Sequence, residues 1–273
     1  MREQPAKRLI INADDFGLSP GINKGIIRAV KAGVVTSATL LTQGPAFREA
    51  IEAAPADLGL GVHLNLTGGW GMPKGGAPVG FYTNNPALLL WRCFAGRVDL
   101  TFAQTELRKQ IEAFAKIGDL PTHLDGHHHI HVFPGMAELV AELAVEYNIP
   151  SIRLPRPSFS LWRRPLIKRT LMGQLATKAG RLFEARGLKF PPGFWGFSLY
   201  GSGDFGWRLQ AVLEKIEAGT HEIMSHPGLP GPDFTLDAYR QARIVECEAL
   251  CDPKVLEKIR ECGISLVSYA DLS

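Results

Sequence analysis

Residues 8–26 read "RLIINADDFGLSPGINKGI", and the fold turns on what this stretch contains and what it lacks. Arg8 to Asp14 form a short isoleucine-rich run, the pattern of a strand buried on both faces. Beyond it, Ser19 offers an N-cap, Pro20 a first helical residue and Gly33 a C-terminal stop, so a helix is predicted between them. A strand that feeds a helix opens a βαβ unit. No Gly-rich phosphate loop joins the two, because "ADDFGLSPG" contains neither GxGxxG nor GxxxxGK[ST]. An open nucleotide-binding sheet loses its main support, and a (β/α) barrel is preferred.

Outward from this unit, strands are predicted at 34–41, 58–66, 122–126, 151–154, 221–227 and 263–269. Helical stretches at 45–54, 101–117, 134–148, 207–218 and 237–261 alternate with them, which implies parallel pairing. A Gly/Pro-rich stretch runs from Thr67 to about Pro86, and a basic, aromatic one spans 155–206. The predicted fold is α/β, a distorted TIM-like (β/α) barrel forming one domain over 1–273, with insertions at about 67–100 and 155–206.

Composition agrees. A chain of 273 residues suits one large α/β domain, and 45% hydrophobic with 21% charged residues excludes disordered and fibrous classes. A net charge of +3 without a fingerprint motif gives no case for nucleic-acid binding. Four cysteines lack CxxC spacing, so free thiols are expected, even for Cys247 and Cys251, four residues apart. "MREQPAKRLIINADD" lacks a signal-peptide pattern, and runs such as "ALLL" (87–90) fall short of a membrane span. A cytoplasmic setting is expected.

In parallel barrels, side chains at the carboxyl ends of the strands converge on one mouth. Polar residues stand at four such ends here. Asp14 and Asp15 follow the first strand, His63 ends the third, Asp125 precedes a histidine run, and His226 follows "HEIMS". The run "THLDGHHHIH" (122–131) holds five of the eight histidines. Taken singly, the acids could tighten a turn, His63 could be a core residue and the run a solvated loop. Coincidence at four strand ends is much harder to accept. A catalytic divalent ion takes three His or carboxylate ligands and keeps one position open. Asp15, His63 and one or two histidines of the run supply that set, leaving Asp14 and His226 for proton transfer. In extended backbone His127, His129 and His131 would share a side and His128 would face away, so spacing alone does not select His127.

The segments "INADDFGLSPGINKGI", "GVHLNLT", "THLDGHHHIHVFP" and "SHPG" follow one another over roughly 8–268. In this order they resemble the motifs of the YdjC-like carbohydrate deacetylases, which include chitooligosaccharide and hopanoid-associated deacetylases. The basic, aromatic middle stretch is more similar to the hopanoid-associated branch. The resemblance implies a TIM-like barrel that hydrolyses an N-acetyl group from an amino sugar; for the one divalent ion, two imidazoles and a carboxylate suit zinc, with magnesium, cobalt or manganese left open. By motif position it makes Asp15, His63 and His127 the ligands and Asp14 the general base. A looser match makes His226 the general acid, and Asp125, His129 and His131 become supporting or sugar-contacting residues.

Two other readings compete. A metal-dependent phosphoesterase or a sugar isomerase could use the same acids and histidines, although phosphate chemistry calls for cations that the motifs do not carry. A non-catalytic metal or sugar binder would have no use for Asp14 or His226. Residues 151–190 hold ten basic residues and one acid, a net +9. Leu171, Leu175, Ala179 and Leu182 recur there at helical spacing beside Met172 and Phe183, which predicts a lid helix packed on the barrel. A sharper expectation is peripheral contact of 151–190 with an anionic inner-membrane surface. A homodimer is compatible with the sequence.

Overall fold

The computed structural model describes residues 6–67, 83, 85–158, 166–199, 201, 203–231 and 239–272. Its parallel strands are β1 (Lys7–Phe16), β2 (Ser37–Leu40), β3 (Gly59–Leu64), β4 (His123–Gly126), β5 (Ser151–Ile152), β6 (Gly193–Phe194), β7 (Gly219–Ser225) and β8 (Ile264–Leu266). Seven lie in the order β5-β4-β3-β2-β1-β7-β6, while β8 pairs with β1 beside that path. Single parallel bridges, Ser151 to Lys189 and Pro157 to Phe194, link the β5 side to the β6 side. The curled parallel sheet is the distorted TIM-like barrel expected from the alternation of strands and helices. Leu9, Ile10 and Ile11 are all fully buried, which accounts for the unbroken apolar run in β1.

The helices are α1 (Pro20–Lys31), α2 (Phe47–Ala53), α3 (Pro86–Phe94), α4 (Leu100–Ala115), α5 (Met136–Glu146), α6 (Leu166–Ala185), α7 (Gly196–Leu199), α8 (Phe205–Leu213), α9 (Arg240–Leu250) and α10 (Pro253–Glu261). At the start of α1 the Ser19 side chain accepts from the Ile22 N–H, and Gly33 beyond its end has φ +79°. The helical stretch read over 237–261 is divided, because Asp252 caps a new helix whose first residue is Pro253. The stretch 155–206 holds α6 and also β6, a strand of the barrel itself. Two residues are too few to display a strand period. The Gly/Pro-rich 68–82 falls outside the described residues.

One irregularity shapes the mouth. Asn12 and Ala13 of β1 pair with Ser37 and Ala38, and Phe16 next pairs with Leu40, so β1 spends three steps against two. The extra residue is a bulge, and Asp15 within it has φ +67°. In a regular strand Asp14 and Asp15 would face opposite sides. The bulge turns both into the mouth.

His226, just past β7, is held by close backbone packing. The Leu229 N–H donates to the Gly21 carbonyl of α1 and the Gly228 N–H to the Arg243 carbonyl of α9. A Cβ on Gly25 would come within 2.4 Å of the Gly228 Cα, so α1 needs glycine at that crossing. On α6, Leu175, Ala179 and Phe183 are buried, while Leu171, Met172 and Leu182 pack half-buried against the core. The stripe therefore covers the barrel, as a lid helix should. Among the described residues no helix is long and apolar enough to cross a membrane.

Gly25→Ala should cost about 1–3 kcal/mol by overpacking and lower the thermal midpoint. Gly206→Ala on α8, where the new methyl would meet only the Ala249 Cβ at 3.4 Å, should be neutral or slightly stabilising.

Candidate active site

His63 and Asp125 pair directly across β3 and β4, so their side chains leave the sheet on the same face. His63 Nδ1 lies 2.7 Å from Asp125 Oδ1. The Thr39 hydroxyl of β2 donates to the other oxygen, Asp125 Oδ2, at 3.1 Å. The carboxylate oxygen accepts here, so the His63 Nδ1–H points at Asp125 and Nε2 is the ring nitrogen that faces the mouth. That Nε2 lies 3.5 Å from Asp15 Oδ1 and 3.3 Å from His127 Nδ1. His127 Nδ1 in turn is 3.1 Å from Asp15 Oδ1.

The fit to a divalent ion follows from these three atoms. Asp15 Oδ1 is buried and receives no hydrogen bond of good geometry, although two imidazole nitrogens stand beside it. Ligand atoms about 2.1 Å from a tetrahedral ion lie about 3.4 Å apart, which is the spacing found here. Asp15, His63 and His127 thus form a compact donor set. Asp125 behind His63 is the kind of carboxylate that fixes a ligating ring. Asp14, His63 and Asp125 are also grouped closely enough to bind an ion, but both acids of that set are taken by a cation.

The cation is Arg153, just past β5 and fully buried. Its Nε donates to Glu222 Oε1 at 2.8 Å, and Nη1 and Nη2 each donate to one oxygen of Asp14 at 2.7 Å. Nη1 also reaches Asp125 Oδ2 at 2.6 Å, and Nη2 reaches Glu222 Oε1 at 2.7 Å. The guanidinium thus donates three hydrogen bonds and stands in ion-pair contact with three carboxylates, those of Asp14, Asp125 and Glu222. Burial alone would raise Asp14, but Arg153 overrides it and holds this carboxyl well below its usual range. Burial raises Glu222 to about 7, against the pull of Arg153 and of the Tyr269 hydroxyl that donates to it. Arg153, part of the basic 151–190 stretch in sequence, belongs to the barrel's interior.

His226 Nε2 stands 3.9 Å from Asp14 Oδ2, and its backbone N–H donates to Glu246 Oε2 at 2.6 Å. Burial lowers the His226 imidazole to about 4, although Asp14 and Asp15 pull the other way, so the ring is neutral near pH 7. Burial lifts Glu246 to about 8. Arg243 of α9 binds Asp15 Oδ2 at 2.6 Å. Burial pushes the Asp15 carboxyl up, and Arg243 and His127 more than reverse the effect.

The histidine run departs from the alternation expected of it. Residues His127–Val132 form a 3-10 segment in which His128 and His129 have φ 55° and 58°. Two left-handed residues in succession turn each ring a different way. His127 joins the donor set, and His128 Nδ1 sits 2.7 Å from the Thr67 hydroxyl. His129 packs edge-on against Phe194 and Phe197. His131 Nε2 lies 3.1 Å from the Arg153 carbonyl. Asp125 and His131 are wholly buried, Asp125 behind the His63 ring and His131 against the Arg153 carbonyl. Asp14, Asp15, His63, Asp125, His127 and His226 do gather at one mouth. Sequence reasoning missed Arg153, Glu222, Arg243 and Glu246. The first two had a signal, a charge inside the strands "SIRL" and "HEIMS".

The family model described as YdjC-like protein matches residues 8–261. A carbohydrate deacetylase of Geobacillus stearothermophilus is 33% identical over 270 residues, covering 96% of each chain. A chitooligosaccharide deacetylase of Serratia marcescens is 34% identical over 271 residues, covering 97% of this chain and 99% of its own. Among solved structures, an Enterococcus faecalis V583 protein named for cellobiose-phosphate cleavage aligns with TM-score 0.75 and 29% identity, over 97% and 98% of the two chains.

Three outcomes are expected at this site. His63→Ala and His127→Ala should each weaken binding of zinc or cobalt in calorimetry, Asp125→Asn should weaken it about 10–100-fold, and His128→Ala should leave it unchanged. Binding should also depend on pH. Burial pulls His63 down, but Asp125, Asp14 and Asp15 prevail and raise it to about 9. Below that pH a proton occupies Nε2 and must leave, so affinity should rise about tenfold per pH unit until that value is passed. Arg153→Met should cost about 3–5 kcal/mol in urea unfolding, because it strands buried carboxylates without a cation.

Proposed function

This chain belongs to the YdjC-like protein family, and from that membership we propose that it is a metal-dependent carbohydrate deacetylase. The reaction is hydrolysis of the N-acetyl group of an N-acetylglucosamine-type sugar, either a chitooligosaccharide or a lipid-linked amino sugar. The observation that carries this reading is the division of labour between two adjacent acids. Asp15 faces the imidazoles of His63 and His127, whereas Asp14 faces His226.

A divalent ion held by Asp15, His63 and His127 would supply a Lewis acid that polarises the acetamide carbonyl and acidifies water. Zinc suits two imidazoles and a carboxylate, and magnesium with added waters is the alternative. Asp14 is the general base. Arg153 keeps it ionised and fixes its orientation, at the expense of basicity, so it takes a proton only from water that is already acidified. Water oxygen bonds to the acetyl carbon, the carbon–nitrogen bond breaks, and acetate and a free amine result. His226 begins neutral, so the proton it passes to the departing amine is one acquired during turnover. Asp14, 3.9 Å from His226 Nε2, is the carboxylate that can relay it.

A phosphoesterase would want a cation placed to meet the transferred group, and Arg153 is fully buried among the carboxylates of Asp14, Asp125 and Glu222. A non-catalytic binder would leave Asp14 and His226 without a task.

Incubation with acetylated chitooligosaccharides and other N-acetyl sugars should release acetate, and a chelator should stop it. Asp14→Asn should lose about a hundredfold to ten-thousandfold in kcat while retaining metal by elemental analysis. Loss of the metal in that variant, with activity restored by added metal, would make Asp14 a ligand and reverse the two roles.

A further inference from the structure

We propose that the rim of the mouth formed by α3 and α6 docks on an anionic phospholipid surface. Two features of opposite character support this, and neither is used by the chemistry above. The first is a groove of about 650 Å³ along α6. Arg156, Arg169, Lys178 and Arg181 line it together with neutral residues, and no acid does. It begins three residues beyond Arg153, at the same end of the barrel as the donor set. Because the apolar stripe of α6 is spent on the core, the basic face is what this helix offers outward.

The second feature is α3. Leu88, Trp91 and Phe94 recur every third residue on one face of this helix and are 37%, 52% and 58% exposed. Leu89 is the buried member of α3. An exposed stripe of leucine and two aromatic rings costs solubility unless something covers it. Arg97 lies over the Trp91 ring, so the stripe is flanked by positive charge as well. Both α3 and α6 touch the 3-10 segment that begins at His127, so both helices border the mouth.

The combination selects the occupant. Aromatic and leucine side chains enter the headgroup boundary, while nearby lysines and arginines are drawn to anionic lipid. A second copy of the chain would satisfy the apolar stripe but would set one basic groove against another. The partner is therefore a lipid surface with negative headgroups, and docking there would turn the mouth toward the membrane. This inference does not depend on the deacetylase reading, and its test reads binding without turnover.

The test is co-sedimentation of the full chain with phosphatidylcholine vesicles, with and without phosphatidylglycerol, at moderate salt. Binding should require phosphatidylglycerol and weaken as salt rises. Removing one basic residue should lower the partition coefficient roughly fivefold, so Arg169→Glu/Lys178→Glu/Arg181→Glu should abolish sedimentation. Trp91→Ser/Phe94→Ser should reduce it strongly, and Lys31→Glu/Lys254→Glu, away from this rim, should not. Circular dichroism checks that each variant is folded. As an independent measurement, brominated phosphatidylglycerol should quench the tryptophan fluorescence of the wild type, and Trp91→Phe should remove part of that quenching. Failure of the wild type to sediment, or sedimentation unaffected by the α6 reversals, would overturn the proposal. So would a change of oligomeric state in Trp91→Ser/Phe94→Ser with vesicle binding intact, which would assign the stripe to a second copy.

Discussion

The buried guanidinium of Arg153 is the constraint on which the mouth depends. Asp14, Asp125 and Glu222 come from three different strands and meet where no water screens them. Two like charges about 4 Å apart repel by about 4 kcal/mol at an effective dielectric of 20, so without a cation the acids could not stay ionised together. Arg153 keeps Asp14 charged and pairs with Asp125 as well, and each acid then has a consequence. Asp125 holds a His63 proton on Nδ1 and leaves Nε2 as the nitrogen that can meet an ion. Ionised Asp14 is a carboxylate beside His226, ready to accept a proton. The metal arm and the proton arm of the site thus share one counterion. Tyr269 and Glu222 anchor that counterion from behind, and the Tyr269 ring stacks on His123 below.

Backbone geometry then separates the arms. Asp14 and Asp15 are neighbours, and a regular β1 would have sent one of them out of the mouth. The bulge admits both, at a strain on the order of 1–3 kcal/mol for the left-handed Asp15. The same device recurs at His128 and His129, where two left-handed residues direct one ring to the donor set and the next to Thr67. Strain of this kind collects where side chains must converge from a short stretch of chain.

The sequence made the strand-and-helix alternation legible, and with it the barrel and the four polar strand ends. The capping residues of α1 and the lid stripe of α6 were readable too, because both depend on local rules of spacing. Asp15, His63 and the histidine run stood out as ion-binding types at converging positions. What stayed hidden depends on contacts distant in sequence. Arg153 looked like one more charge in a basic segment, since its three partners lie up to 139 residues away. The direction of each ring in the histidine run depends on backbone angles that no residue pattern announces. Arg243 and Glu246 sit on α9 without any periodic mark, and only the packing of α9 against α1 and the Gly228 turn brings them to Asp15 and His226.

The central claim is that adjacent acids are sorted by Arg153, one to the ion and one to the proton. Anomalous diffraction from a zinc- or cobalt-loaded crystal tests it most directly. One strong peak is expected about 2.1 Å from the Asp15 oxygen, His63 Nε2 and His127 Nδ1, with Asp14 still paired to Arg153. A peak coordinated by Asp14 in place of Asp15, or an ion bound with Arg153 displaced from both Asp14 and Asp125, would contradict it.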